Sequence, residues 1–441
     1  MPDAPLIAFF PEASFGAALN CVGIARELQS RGARPVFICH PGFTGIFADY
    51  GFQEYHLPST GPAQPADYWQ AFIRRHLPHF NLSPIDQIET YVAPTWEAIV
   101  DTAIAAEAPL AALLARLRPD LIVLDNVVMF PAIARAACPW VRIISCAETE
   151  LADETVPPYL SGLASDDRTG RAAFLQRYLK ATAPAQDRYN RFRQSAGLAP
   201  LAPGQFLEPS PDLNLLLAPS VLRHDRATPL DPDQFTFLEG CVRHEGPYEL
   251  PDFPRNEGPL IYVSFGSLGA LDMGLMERMM ATFATIPARF LVNAGALREA
   301  YRSVPDNVHL EGWYPQPSVV AMADLFIHHG GNNSFCEALY HGVPSLILPY
   351  CWDGHDNATR AEETGTGRRL NRADWTAASL SAAIRGLLSD DAMRARLKAN
   401  ARQMKAAPGV ETAATLILKT AGAGSKALAP ADHQRMARHE G

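Results

Sequence analysis

Residues 328–357 read HHGGNNSFCEALYHGVPSLILPYCWDGHDN, and this stretch decides the fold. ADLFIHH, ending at His329, is the short apolar run of a strand covered on both faces. Gly330 and Gly331 let the backbone turn sharply and approach a ligand closely. Asn333 and Ser334 fall where the next helix starts, as caps or as direct donors. Free N–H groups at such a start suit a phosphate. SLILP follows as a second buried strand, with Trp352, Asp353, His355, Asp356 and Asn357 just past its end. Ligands of open α/β sheets bind beyond the carboxyl ends of the strands. The stretch therefore reads as a site for a phosphate-bearing ligand with a polar portion reaching toward Asp353. Glu337, one turn into the helix, and the polar cluster after the second strand separate it from a plain capped turn.

Working outward, 441 residues exceed one ordinary core, so two domains are expected. A hydrophobic share of 48% allows large cores, and a net charge of −9 argues against a nucleic-acid partner. Seven cysteines, scattered and free of CxxC spacing, fit buried thiols in a reducing compartment better than a zinc site or a disulfide framework. No run is read as approaching the roughly 20 apolar residues of a membrane span, and the N-terminus lacks a basic signal-peptide region. The expectation is a soluble cytoplasmic protein without an integral membrane segment.

The first half opens with PLIAFF, a buried strand, followed by a helix through CVGIARELQSRG and a second strand, ARPVFICH. This βαβ unit begins a parallel doubly wound sheet. AALLARLRPDLIVLDN adds helix, turn and strand, with Asp125 at the strand's end. Residues 58–110 and 150–205 are irregular and aromatic, as expected of insertions that carry specificity. RHEGPYELPDFPRNEG, residues 243–258, is rich in Pro, Gly and charge and reads as a linker. PLIYVSFGSLG then restarts the alternation.

Four segments carry a family resemblance: VSFGS (263–267), GWYPQ (312–316), HGGNNSFCEALYHGVP (329–344) and PYCWDGHDNA (349–358). In order and spacing they resemble the nucleotide-sugar signature of the family-1, UDP-glycosyltransferase-like enzymes. The resemblance covers the chain strongly in its second half and weakly in its first. It implies the GT-B fold, an α/β architecture of two facing Rossmann-like domains with parallel sheets. Residues 1–242 then form an acceptor-binding domain, 243–258 the linker, 259–421 the nucleotide-sugar donor domain and 422–441 a flexible tail.

The same resemblance implies roles for single residues. Trp313 stacks on the nucleobase, which an indole face suits, and Gln316 bonds the base edge. Glu337 accepts from both ribose hydroxyls, a task for an ionised group. His329, Gly330, Gly331, Asn333, Ser334 and Ser267 hold the diphosphate and stabilise it as it leaves. Asp353 binds sugar hydroxyls. Where the family commonly has Asp-Gln this chain has Asp353-Gly354, so His355 or Asp356 is expected to supply the missing contact, or the sugar differs.

The first domain departs further. In the Gly-His-Val-Asn-like stretch before the first helix, the family's catalytic His falls on Ala17, which cannot take a proton. Its acidic partner matches Asp125, leaving Asp125 or Glu12 as the base. The expected function is an inverting transfer of a hexose, from a UDP- or dTDP-linked sugar to a small apolar or aromatic acceptor. A single displacement without a metal, and with no cofactor beyond the donor, is expected. Two alternatives use the same scaffold: a nucleotide-sugar-binding auxiliary protein without turnover, and a sugar-nucleotide epimerase or hydrolase.

Overall fold

The apolar runs that open each half become central strands of two parallel sheets. In the first, β1 (Leu6–Pro11), β2 (Arg34–Cys39), β3 (Gln53–His56), β4 (Leu121–Asp125), β5 (Trp140–Ile144), β6 (Leu213–Leu216) and β7 (Phe235–Phe237) lie in the order β3-β2-β1-β4-β5-β6-β7. In the second, β8 (Leu260–Ser264), β9 (Arg289–Asn293), β10 (Val308–Glu311), β11 (Leu325–His328), β12 (Ser345–Ile347) and β13 (Gly367–Arg369) lie in the order β10-β9-β8-β11-β12-β13. All the strand pairings in both sheets are parallel. This is the GT-B architecture. The computed structural model describes residues 4–40, 43–58, 71 and 74–427. Part of the first aromatic insertion and the end of the chain beyond 427 lie outside the described residues.

Both sheets reverse their winding beside the first strand of their half. In the first sheet β1 pairs with β4, and Pro11 stands opposite Asp125. In the second β8 pairs with β11, and Ser264 stands opposite His328. Reversal splays the following loops apart and leaves a crevice at the carboxyl ends. Glu12 and Asp125 end the strands at one crevice, and the glycine turn after His328 lies at the other.

The principal helices are α1 (Phe15–Ser30), α2 (Ala93–Leu117), α3 (Arg168–Ser195), α4 (Asn332–His341), α5 (Gly354–Glu363) and α6 (Gly409–Ala427). With the turn before it, α2 forms a stretch, Ile88–Leu117, that is apolar and long enough to cross a membrane by length and composition. The sequence reading did not anticipate such a run. Trp96, Val100, Ala103, Leu110 and Leu114 repeat at helical spacing and pack into the core beside the first sheet.

Two domain boundaries move. The C-terminal helix α6, assigned up to residue 421 to the donor domain, returns to the first sheet. Its Ala413, Ala414, Ile417 and Ala421 join Ile7, Phe9, Val22 and Ile24 in one buried cluster. The chain does not fray at 422, since α6 continues to Ala427. Nor does the linker begin as loose surface chain, because Arg243 is buried. Gly240 bridges to Pro408 beside it, so the crossing and the return of the chain lie together.

Ile417 is fully buried between α6 and the first sheet. Ile417→Ala should lower unfolding stability by about 2–4 kcal/mol in chemical denaturation. An unchanged midpoint would mean that α6 is a dispensable appendage.

Candidate active site between the two sheets

The donor-side turn is built from glycines because its backbone segments touch. Gly330 has φ +91, and a Cβ there would lie 2.7 Å from the carbonyl oxygen of Gly354. A Cβ on Gly354 would in turn lie 2.6 Å from the carbonyl oxygen of His329. The two loops after β11 and β12 can therefore meet only as glycines. Gly330 N–H donates to Nδ1 of His328 at 3.1 Å, which fixes the turn from within and removes that N–H from ligand binding. Gly331 caps α4 without a side-chain bond. Asn332 N–H donates to Oδ2 of Asp353 at 3.0 Å, while the N–H groups of Asn333 and Ser334 lack an acceptor within the helix. His329 stacks on Tyr350 with ring centres 5.2 Å apart, and burial pushes its pKa down to about 4. It is thus a neutral donor at physiological pH.

Gln316, Ser334 and Glu337 form one network. Nε2 of Gln316 donates to Oγ of Ser334 at 3.1 Å and to Oε2 of Glu337 at 2.7 Å. Tyr262 donates to its Oε1 at 3.4 Å. Gln316 is therefore turned inward, toward Glu337, and not outward to a base edge as the sequence reading expected. Trp313 follows β10 and is 61% exposed. The side chain of Ser267 lies outside the described residues.

His355 and Asp356 have a different task from the sugar contact expected of them. Oδ2 of Asp356 accepts from Oγ1 of Thr149 at 2.7 Å and from the N–H of Leu160 at 2.8 Å. Its Oδ1 accepts from the N–H of Gly162 at 2.7 Å. Nε2 of His355 meets Oε1 of Gln87 at 3.2 Å. All four partners belong to the first domain, so both residues tie α5 across the crevice. Asn332 and Asn333 do the same at the start of α4. Nδ2 of Asn332 donates to the carbonyls of Ser145 at 2.9 Å and Leu217 at 2.8 Å, and Nδ2 of Asn333 donates to that of Gly16 at 2.9 Å.

Asp353 keeps a place facing the crevice. Its Oδ2 is held by Asn332 and, at 3.2 Å, by Nδ2 of Asn357. Just before it, Trp352 adopts the left-handed φ of +55, a conformation that costs about 1–3 kcal/mol. Its indole packs on Trp96 and Tyr159 of the first domain, at 5.3 and 6.1 Å between ring centres. The aromatic insertions thus close over the loop that carries Asp353.

On the acceptor side, Ala17 sits in the first turn of α1 and Cys21 one turn later. Cys21 Sγ lies 3.9 Å from Oδ2 of Asp125, whose Oδ1 accepts from Oγ of Ser145 at 2.7 Å. Asp125 is buried, 3% exposed, with the Cys21 thiol and the Ser145 hydroxyl as its side-chain partners. Glu12 is only half-buried, and its backbone N–H donates to the Asp125 carbonyl at 2.7 Å. Burial pushes both carboxyls up to about 7. The Ser145 hydroxyl opposes the rise at Asp125, whereas nothing opposes it at Glu12.

Glu150, missed in the sequence, joins them. It follows β5 and carries a buried Oε1 with no hydrogen-bond partner. Burial raises it to about 8, with further push from Asp125 and Asp353. No motif marks Glu150. Arg142, fully buried and donating to the carbonyl of Asn126, was missed too, although a charge within the apolar run WVRIISC (140–146) could have pointed to it.

Comparisons with known proteins agree with this geometry. Residues 277–418 match the family described as "Erythromycin biosynthesis protein CIII-like, C-terminal domain". The oleandomycin glycosyltransferase of Streptomyces antibioticus is 25% identical over 97% of this chain and 92% of its own length. The zeaxanthin glucosyltransferase of Pseudescherichia vulneris is 30% identical over 45% of this chain and 48% of its own. The glycotransferase of kitacinnamycin superposes with TM-score 0.71 at 24% identity, covering 95% of this chain and all, 100%, of that one. The glycosyltransferase VinC, solved in complex with dTDP, gives TM-score 0.66 at 18% identity over 95% of this chain and 100% of its own.

Fold and site together define an enzyme that transfers a sugar from a nucleotide sugar. The chain has the GT-B fold and is similar to glycosyltransferases along nearly its whole length.

Two predictions follow from the crevice. Asp356→Asn should destabilise the protein by about 2–3 kcal/mol, since it sets an amide against backbone N–H donors, while nucleotide affinity is kept. Lost affinity with an unchanged melting point would return Asp356 to the sugar pocket. The second concerns pH. Carboxyls raised in the folded state bind protons more tightly than the unfolded chain does. Their stabilisation is complete below about pH 4, the unfolded value, and is lost as pH rises through about 7 for Glu12, Asp125 and Asp353 and about 8 for Glu150. The melting temperature should fall from pH 5 to 8, and less steeply in Glu150→Gln.

Proposed function

We propose that the enzyme moves a hexose from a UDP- or dTDP-linked sugar to a small, largely apolar or aromatic acceptor, with Glu12 as the base. The observation that carries this reading is Glu12 itself, half-buried at the end of β1, beside Asp125 and raised to about 7. It can be ionised near neutral pH and is still basic enough to accept a proton. Asp125 is held by Ser145 and Cys21, which suits it to orient the site. The aromatic side chains Trp96, Tyr159 and Trp352 support an apolar acceptor. So do relatives named for the natural products oleandomycin and zeaxanthin.

In the proposed reaction the acceptor hydroxyl gives its proton to the Glu12 carboxylate as its oxygen attacks the anomeric carbon. The bond from that carbon to the diphosphate oxygen breaks, and the diphosphate departs with the electron pair. Attack opposite the leaving group inverts the anomeric centre in one displacement. The N–H groups of Asn333 and Ser334, the dipole of α4 and neutral His329 meet the departing charge, a preorganised arrangement that lowers the barrier without a metal ion. Trp313 stacks on the base, Glu337 holds the pentose, and Oδ1 of Asp353 accepts from a sugar hydroxyl. No cofactor besides the donor is proposed, and the cytoplasm is the proposed location.

Glu12→Gln tests this reading. Turnover should fall about 10²–10⁴-fold, and the inflection near pH 7 in wild-type kcat should vanish, with nucleotide affinity unchanged. The same assay in excess chelator should keep its rate. Full turnover in Glu12→Gln would remove Glu12 as the base. Nucleotide binding with no product from any acceptor would favour a non-catalytic binding protein.

A further inference from the structure

Cys39 closes β2, and His56 closes β3, the edge strand of the first sheet. The two residues are partners in the parallel register, so their side chains leave the same face. Glu54 stands two residues before His56 and therefore on that face as well. A thiol, a carboxylate and an imidazole come together in this way, with their ligating atoms within 4.8 Å of one another. Sequence spacing did not announce the group, because only the pairing of β2 with β3 brings Cys39 to the other two.

The carboxylate is fixed from behind. Oε2 of Glu54 accepts from the N–H of Gly45 at 2.8 Å, and Oε1 accepts from those of Phe47 at 2.7 Å and Ala48 at 3.0 Å. Phe47 is fully buried and stacks on Phe37 of β2 with ring centres 4.0 Å apart. Ligands aimed by hydrogen bonds from a packed backbone are what a metal site requires. Cys39 is 2% exposed, so its sulfur forms the inner wall of the group. Nε2 of His56 meets Oε2 of Glu54 at 2.7 Å from the solvent side. That exposed ring can withdraw by a fraction of an ångström and admit an ion between the two atoms.

Magnesium and calcium take oxygen ligands, whereas thiolate and imidazole select zinc and its like. We propose that Cys39, Glu54 and His56 bind one zinc-type divalent cation, with water in the fourth position, and so staple the edge strand to β2. On binding, the Cys39 thiol gives its proton to solvent. His56 coordinates through Nε2 with its proton on Nδ1, and Oε2 of Glu54 exchanges the imidazole for the ion while keeping the Gly45 N–H. Two anionic ligands then balance the two charges of the ion, which leaves a neutral site against the core. The staple has a use, since β3 pairs with β2 alone and places no residue in the buried core. It acts on stability and takes no part in the sugar transfer proposed above.

Cobalt(II) is the probe, added to metal-free full-length protein. One equivalent should produce a thiolate-to-cobalt charge-transfer band and the visible bands of a tetrahedral ion. Zinc should abolish both, and magnesium should leave them unchanged. Cys39→Ser should remove the charge-transfer band. His56→Ala, at an exposed side chain, should weaken cobalt binding at least about 10-fold, the least that losing even a partner behind a ligand costs, and serves if Cys39→Ser does not fold. Zinc should raise the melting temperature of the wild type, as any ligand of the folded state does, and not that of His56→Ala. Absence of the charge-transfer band in the wild type overturns the inference. So does a band of equal strength in both variants, which would put the ion at another cysteine, and so does a wild-type melting temperature that zinc leaves unmoved.

Discussion

The carboxylate of Asp356 is the point on which the arrangement of the two sheets depends. It stands at the start of α5 in the second domain and takes all three of its donors, Thr149, Leu160 and Gly162, from the first. A carboxylate so buried is stable only if its lone pairs are met. Separating the domains exposes it and three donors to water together, so the contact is stronger as a set than singly. The Asn332 amide makes a second tie, to two first-domain carbonyls. The start of α4, with its open N–H groups, is thereby held opposite Glu12 and Asp125. The glycine turn and the carboxyls after β1 and β4 face each other because polar side chains, not apolar area alone, set the distance between the sheets.

Closure has an electrostatic consequence. Glu12, Asp125, Glu150 and Asp353 come into one crevice from both domains, and each is pushed up by burial. Arg142 offers opposite charge to Asp125 and Glu150 from its fully buried position. The protein tolerates this strained group of acids because the sheets hold it in place. Pre-setting a carboxyl near neutrality is useful for proton transfer, and it costs stability when those carboxyls ionise.

How much of this could be read in advance depended on whether the signal was local. The two sheets were legible because parallel strands buried on both faces appear as short apolar runs, such as LIVLD and LFIH. The glycine turn was legible as a turn because backbone-to-backbone contact at Gly330 and Gly354 admits no side chain. What failed was any residue whose meaning lies in a partner far along the chain. His355 and Asp356 looked like sugar-binding groups because they follow a strand end, yet their partners are at Gln87, Thr149, Leu160 and Gly162. Gln316 was expected to bond a base edge, and nothing local told its amide to turn to Ser334 and Glu337. The return of α6 to the first sheet was equally hidden, because an amphipathic helix does not announce which sheet covers its apolar face.

Arg243 extends the same lesson to the linker. A stretch rich in Pro, Gly and charge reads as exposed chain, and for most of its length that expectation is sound. A domain crossing in a two-sheet enzyme must nevertheless pass the crevice where the ligand lies. A charged residue at that crossing is desolvated by both domains at once and needs a partner from one of them. Here the available partner is Glu337, an acid of the donor domain, and the clamp through Glu245 and Tyr50 comes from the linker and the first domain. The crossing and helix α4 consequently share an ion pair. The position of Glu337 in that pair is therefore tied, through Arg243, to the joint between the domains.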